Sequence, residues 1–465
     1  TAANLARTLC PRALRQFLAS GYVFHPHTAL QGVKQVVQGQ VLEVDESISV
    51  KTTTFRNLPP AQYEHGLSRN EWRERLGAEM EQAVVRQMVS DVPVGLLLSS
   101  GIDSMYLLSV LHSRGLDRGL KTFTVHFDNP TFSEADSVRR AVRDWGVDNE
   151  QIRLGGAMVA GAFEDICRAM DNLEFMPNSA AMYFVSRLAG EHGKVVLSGV
   201  GGDELFFGYP THRATHLVDS LHGFNRALPL LRPLAGLLPG GRDYLGAKER
   251  ITRFLDACQY GGALSHASWR SVFSAREMQA LFTPDCEPPA AARILAPQTA
   301  YYHEAARRGY DAMDRYMYMD LKTWMTDHGL ALWDKAGMNA SLEIRVPLLD
   351  LRLVDACLKT PPGIRAAHLG TKALFREIAA HILPPHIRSL PKHGFQVPVA
   401  DWLRGPLRKP FQEYTADLPG NIFSDIAVDR LWRDFLSGRK DTSLKLWTLA
   451  CLGVWARVHN ISWPR

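Results

Sequence analysis

The residues that most constrain the fold are Leu96-Leu97-Leu98-Ser99-Ser100-Gly101-Ile102-Asp103-Ser104, where an apolar run breaks off into small, hydroxylated and acidic side chains. The run from Val94 to Leu98 is too short to cross a bilayer and shows no alternation, the pattern of a parallel strand covered on both faces. Gly101 lets the backbone turn and approach a ligand closely, and Ser99 and Ser104 supply hydroxyl donors. Met105 to Leu111 then reads as a helix, with Gly115 as its stop. The loop therefore lies at a helix N-terminus, whose unpaired N–H groups and dipole favour phosphate oxygens. Asp103 is placed to hold the Mg²⁺ that offsets their charge.

A second handover of this kind runs from Lys194-Val195-Val196-Leu197 into Ser198-Gly199-Val200-Gly201-Gly202-Asp203-Glu204 and on to Gly208-Tyr209. Three glycines in four positions are entropically costly and imply close backbone approach to a ligand. Asp203 then reads as a second Mg²⁺ ligand, since Mg²⁺ binds through one or two carboxylates plus substrate phosphates. Neither stretch is a Walker A loop or a GxGxxG fingerprint. The plainer readings are a serine-rich turn and a glycine-rich hairpin with an exposed acid. Strands near Val94 to Leu98, Thr122 to Phe127 and Lys194 to Leu197, alternating with helical segments, predict an α/β fold with a doubly wound parallel sheet. Ligands bind such sheets at the carboxyl ends of the strands, where both loops emerge.

The first loop resembles the pyrophosphate-binding loop SGGxDS of ATP pyrophosphatases, with Ser100 standing where that family has its first glycine. Both loops together closely resemble the synthetase domain of the asparagine synthetase B and β-lactam synthetase family, whose second signature is SGxGxDExFxGY. Further matches follow in the same order: Thr122-Phe123-Thr124-Val125 with Glu134, then Asp334, Met338 and Ser341-Leu342-Glu343-Ile344-Arg345-Val346-Pro347. Lys372 with Arg376, and Lys392-His393-Gly394-Phe395 with Pro398 and Trp402, complete the set. The resemblance implies an ATP pyrophosphatase-like (adenine nucleotide alpha hydrolase-like) fold and a two-step reaction. A substrate carboxylate attacks the α-phosphorus of ATP to give an acyl-adenylate and pyrophosphate; ammonia or an amine then displaces AMP.

Under that resemblance Ser99, Ser100, Gly101, Asp103, Ser104, Ser198, Gly199, Gly201 and Lys372 hold the phosphates of ATP. Val125 meets adenine, and Asp103 and Asp203 bind Mg²⁺. Lys392 contacts the reacting phosphate and the intermediate, and Glu343 supplies an acid near the attacking amine. Plainer alternatives stand beside these: a solvated Lys392, a structural Glu343–Arg345 ion pair, and a surface basic pair at Lys372 and Arg376, four apart on a helix. Glu174 and Ser179 are weaker pocket candidates. His25 and His27 flank Pro26 without further ligands, which argues against a metal there. Glutamine-dependent asparagine synthetases carry glutamate at the position of Val200. An apolar residue there points away from aspartate toward another acid or another nucleophile, with β-lactam-forming and peptide-cyclising synthetases among the alternatives. A non-catalytic nucleotide-binding relative and a thiolating or aminating pyrophosphatase are further ones.

Composition agrees with an enzyme of this kind: 465 residues, 46% hydrophobic and 22% charged, form an ordinary globular chain. A net charge of +5 without dense Lys/Arg clusters gives no case for nucleic acid. Six scattered cysteines without CxxC suggest reduced thiols of a cytoplasmic protein, and no signal peptide or membrane segment is evident. The chain starts with Thr1 rather than Met, as processing or a chosen expression boundary would leave it. Residues 17–23 and 32–45 resemble the tail of the family's N-terminal glutaminase domain. The expected division is therefore a small remnant over 1–60 and a synthetase domain over 61–465, mostly helical in its C-terminal half. Any glutaminase-like segment would be a separate or cleaved partner. The implied substrates are a small-molecule or peptide carboxylate and ammonia or an amine.

Overall fold

The computed structural model describes residues 6–129, 132, 135–174, 176–221, 227–236, 247–286, 290–366, 371–388 and 397–464. Five strands form one parallel sheet: β3 (Val94–Leu97), β4 (Lys121–Phe127), β5 (Asp148–Leu154), β6 (Val195–Leu197) and β7 (Glu343–Arg345), in the order β5-β4-β3-β6-β7. The central β3 is buried at every residue. Leu96 and Leu98 face one helical layer while Leu97 faces the other, so the absence of alternation in the sequence reports cover on both sides.

The first layer contains α2 (Arg69–Gln87), α3 (Ile102–Ser113) and α4 (Ala135–Trp145). Helix α2 starts with a reciprocal capping box between Ser68 and Glu71, and buries Trp72, Leu76, Met80 and Val84 at helical spacing. Each such side chain contributes roughly 1.5–3 kcal/mol on burial. On the opposite face, α6 (Asn178–His192) sets Val185 and Ala189 against Leu97, Phe123 and Val196. A third and larger core joins α1 (Pro11–Ser20) and the following Tyr22-Val23-Phe24 to α5 (Gly156–Met170) and the terminal helix Ser443–Val458, where Trp447 and Trp455 are buried.

Strands β5 and β7 are the two that the sequence does not announce. The outer strand β5 is polar and partly exposed, and β7 has three residues. The Pro- and Gly-rich stretch after Leu228 opens with helical turns at Leu228–Leu231 and Arg232–Gly236. Proline is compatible with a first helical turn because its missing N–H has no partner there. From Tyr301 onward the described chain is mostly helical, as expected, with a wide π-helical segment over Leu321–Leu330. A separate antiparallel ribbon, β1 (Gln40–Val44) with β2 (Val50–Thr54), projects with nine of its ten residues exposed. Among the described residues no helix is long and apolar enough to cross a membrane.

Candidate active site

The connections from β3 and β6 run to opposite sides of the sheet, so these two neighbours flank its topological switch point. Ligands in doubly wound sheets sit in the crevice beyond such strands. The loop after β3 is tied into a ring. The Ser104 hydroxyl donates to the Ser99 carbonyl (2.9 Å) and accepts from the Ser99 N–H (3.1 Å), and the Gly101 N–H donates to Ser99 Oγ (3.2 Å). Gly101 caps α3, whose first turn carries Asp103. Ser100 is buried at this turn.

The loop after β6 lies directly on the first. A Cβ on Gly199 would come within 2.7 Å of the Ser104 nitrogen and 3.0 Å of the Asp103 carbonyl carbon, and one on Gly202 would strike Asp103 Oδ1. Gly201 has φ of +110° and would drive a Cβ to 2.5 Å from Leu349 Cγ. The glycines expected to admit a ligand thus also admit the other loop. This contact brings Asp103 and Asp203 together, and both carboxylates close on Lys372.

Lys372 occupies the N-cap of the helix Ala373–Ala379 with φ of +56°, and its side chain is 2% exposed. Its Nζ lies 2.5 Å from Asp103 Oδ2 and 3.0 Å from Asp203 Oδ1. Burial alone would lower the lysine pKa, but the two carboxylates outweigh it and raise it. Two carboxylates that share one ammonium are also spaced to share one divalent cation, so the donor set fits Mg²⁺. Arg376, expected beside Lys372, lies in the last turn of that helix, partly buried.

Behind Asp203 the charge continues into the protein. Glu204 is buried, accepts a hydrogen bond from the Tyr209 hydroxyl, and is pushed up to about 7 by burial and by Asp203. The Arg270 guanidinium lies 5.0 Å over the Tyr209 ring and 4.7 Å over Trp324. Arg270 grips Asp320 through both nitrogens, at 2.5 and 2.9 Å, and His212 and His266 reach the same carboxylate at 2.9 and 3.1 Å. Among the described residues, His212, His266 and Asp320 have metal-like spacing. A guanidinium bound to both carboxylate oxygens already supplies the cation, which makes this an ion-pair hub. Burial would raise the Asp320 pKa, but Arg270 and the histidines hold it well below the usual carboxylate range; burial brings His266 down to about 4. Nothing in the local sequence marks this hub, because its members are spread over more than 100 residues.

Other expected residues fall elsewhere. Glu343 begins β7 in register with Val195, whereas the loops leave from the far ends of their strands. Its carboxylate pairs with Arg345 at 2.7 Å, and Arg345 donates to the Gln87 and Val89 carbonyls at the end of α2. The geometry is that of a structural ion pair, and it does not bring Glu343 to the two loops. Val125 lies near the carboxyl end of β4, partly buried against two of the cores. Glu174 is buried and paired with Lys335 at 3.0 Å, and Ser179 is buried in α6. His25 turns to Asp327 (3.1 Å) and His27 to Arg12 (3.0 Å), so the two do not converge. Lys392, with His393, Gly394 and Phe395, and Glu134 lie outside the described residues. Beside the second loop, where the Ser198 N–H donates to the Arg345 carbonyl (2.8 Å), opens a cavity of about 360 Å³ lined by Leu330, Ala331, Trp333, Asp334, Ile344 and Val346.

The family model described as asparagine synthase matches residues 75–457. Asparagine synthetase [glutamine-hydrolyzing] 1 of Bacillus subtilis is 30% identical over 457 residues, covering 97% of this chain and 68% of the relative. A putative asparagine synthetase [glutamine-hydrolyzing] of Mycobacterium tuberculosis is 30% identical over 459 residues, covering 96% of this chain and 67% of the relative. The amidase chyE of Penicillium rubens is 21% identical over 443 residues, 87% of this chain and 64% of that protein.

Proposed function

The chain belongs to the asparagine synthase family, and on that premise we propose that it is an ATP-dependent amide-forming synthetase that adenylates a substrate carboxylate and passes the acyl group to ammonia or an amine. The observation that carries this reading is the convergence of Asp103 and Asp203 on one cation between two loops at the switch point of the sheet. The N-terminus of α3 and the hydroxyl of Ser99 provide donors for pyrophosphate oxygens, while Ser104 holds the loop in shape. Mg²⁺, bound by the two aspartates, would neutralise phosphate charge and steady pyrophosphate as a leaving group. Lys372 would then move its ammonium from the carboxylates toward the phosphates. Lys392, placed by its motif, would stabilise the negative charge that builds on the reacting phosphate and later on the tetrahedral oxyanion.

The acid is proposed to be other than aspartate, although the bacterial relatives are named for asparagine synthesis. The second loop presents Val200, partly buried, where glutamine-dependent asparagine synthetases carry an acid that engages amine or acceptor. The test is ATP–pyrophosphate exchange with Mg²⁺ across a panel of carboxylic acids, aspartate included. At least one acid should stimulate exchange, and Asp203→Asn and Lys392→Ala should each abolish it. Nucleotide binding with no acid-stimulated exchange would mark a non-catalytic nucleotide-binding module instead.

A further inference from the structure

The cavity beside the second loop has a chemistry that the adenylation reading leaves unspecified. Two of its walls are Ile344 and Val346, adjacent along one face of β7 and its extension, opposite the face that carries Glu343 and Arg345. Since the Arg345 carbonyl accepts from the Ser198 N–H, Val346 sits where the second loop leaves β6. The remaining wall is the end of the π-helical segment at Leu330 and the first turn of the helix Ala331–Asn339, with Trp333 and Asp334. Long π-helical stretches are rare, and π-turns often accompany functional sites.

Five of the six lining residues are apolar and the sixth is a carboxylate. Among the described residues no cation answers it. Lys335, next in sequence, is turned to Glu174 at 3.0 Å, and Arg345 is engaged by Glu343 and two carbonyls. Asp334 is exposed to the cavity mouth with no hydrogen bond or ion pair among the described residues. A second carboxylate entering here would meet like charge without a partner. Room is ample, since one water-sized molecule needs only about 10–15 Å³ of such volume.

We propose that this cavity receives the nucleophile, a primary amine carrying an apolar body, with its ammonium drawn to Asp334 and its body laid against Trp333, Ile344 and Val346. The inference rests on the adenylation reading, whose second step it specifies. In that step the bound ammonium first gives one proton to water, and the lone pair so freed forms the bond to the acyl carbon. The bond from that carbon to the AMP oxygen breaks, its electrons leave with AMP, and the nitrogen releases its second proton to water. A nucleophile of this size makes the product a substituted amide.

The experiment uses phenethylamine, phenylacetate and ammonium chloride as probes, titrated calorimetrically into the protein with Mg²⁺ and a non-hydrolysable ATP analogue. Phenethylamine should bind at least tenfold more tightly than either of the others. Asp334→Asn should erase its advantage over phenylacetate, and Trp333→Ala should weaken both aromatic probes about tenfold while preserving the preference. Thermal melting confirms that each variant is folded. Equal or tighter binding of phenylacetate, or a preference unchanged in Asp334→Asn, overturns the inference. Pyrophosphate exchange is read separately. Exchange without amine preference sinks the cavity assignment alone, whereas amine preference without exchange sinks the adenylation reading and with it the role of nucleophile.

Discussion

At the scale of single residues, Lys372 is the most exposed to test. Removing one member of a buried charge cluster costs about 3–5 kcal/mol because the partners keep their desolvation penalty. Lys372→Met leaves Asp103 and Asp203 facing one another, so its melting temperature should fall well below that of the parent protein. Millimolar Mg²⁺ should restore more of that loss than it adds to the parent, because the metal takes over between the carboxylates. Equal Mg²⁺ responses in both proteins would argue against Asp103 and Asp203 as metal ligands. Arg270 makes the opposite case. Arg270→Met should cost about 3–5 kcal/mol in urea unfolding, and Arg270→Lys a part of it, because an ammonium cannot reproduce the two-pronged grip on Asp320. In Mg²⁺-free buffer, EDTA should leave the melting of the parent unchanged, since a guanidinium already occupies the place a metal would take at His212, His266 and Asp320.

Among the elements, the contact between the two loops decides whether a site exists at all. Gly199→Ala would press a methyl group against the backbone of Asp103 and Ser104. Overpacking of this kind costs about 1–3 kcal/mol, and it should also weaken ATP binding, measured by nucleotide titration, by parting the two aspartates. Both loops were legible in the sequence because the chemistry is local: an apolar strand, an abrupt stop, then glycine, hydroxyl and acid within a few residues. The partner of the aspartates was only half legible. Lys372 was read as one of a helical pair facing phosphate, whereas its positive φ and burial aim it between the two carboxylates. The Asp320 hub and the edge strand β7 were not legible, since each depends on segments brought together only by tertiary packing. The place of Glu343 is likewise set by the pairing of β7 with β6, which motif spacing does not display. A shift of two residues along β7 separates the start of the strand from the end where loops emerge.

For the molecule as a whole, buried ionisable groups set a window of pH. Burial pushes Glu174 and Asp327 up to about 7 and brings His25 down to about 4 and His328 to about 3. A raised carboxyl pKa means that the folded state holds a proton that the unfolded chain has already lost, so this stability is full below about pH 4.5 and fades as pH rises through 7. The lowered histidines act in the other direction, and their stability is lost as pH falls below about 6.5. Glu174→Gln should therefore flatten the decline in stability between pH 5 and 8, by up to about 3 kcal/mol, in denaturant titrations at several pH values. An unchanged slope would show that Glu174 is ionised throughout.

The site also has a history in time. Asp103 and Lys372 are separated by 269 residues, and β7 joins β6 only after the long, mostly helical stretch between the two strands has been made. Closing loops of that length is slow, so long-range parallel pairing lags behind local helices. In refolding from urea, helical circular dichroism should return before nucleotide binding does. During synthesis, too, the phosphate cradle should come into being late, so that a nascent chain does not hold ATP before the rest of the enzyme can use it.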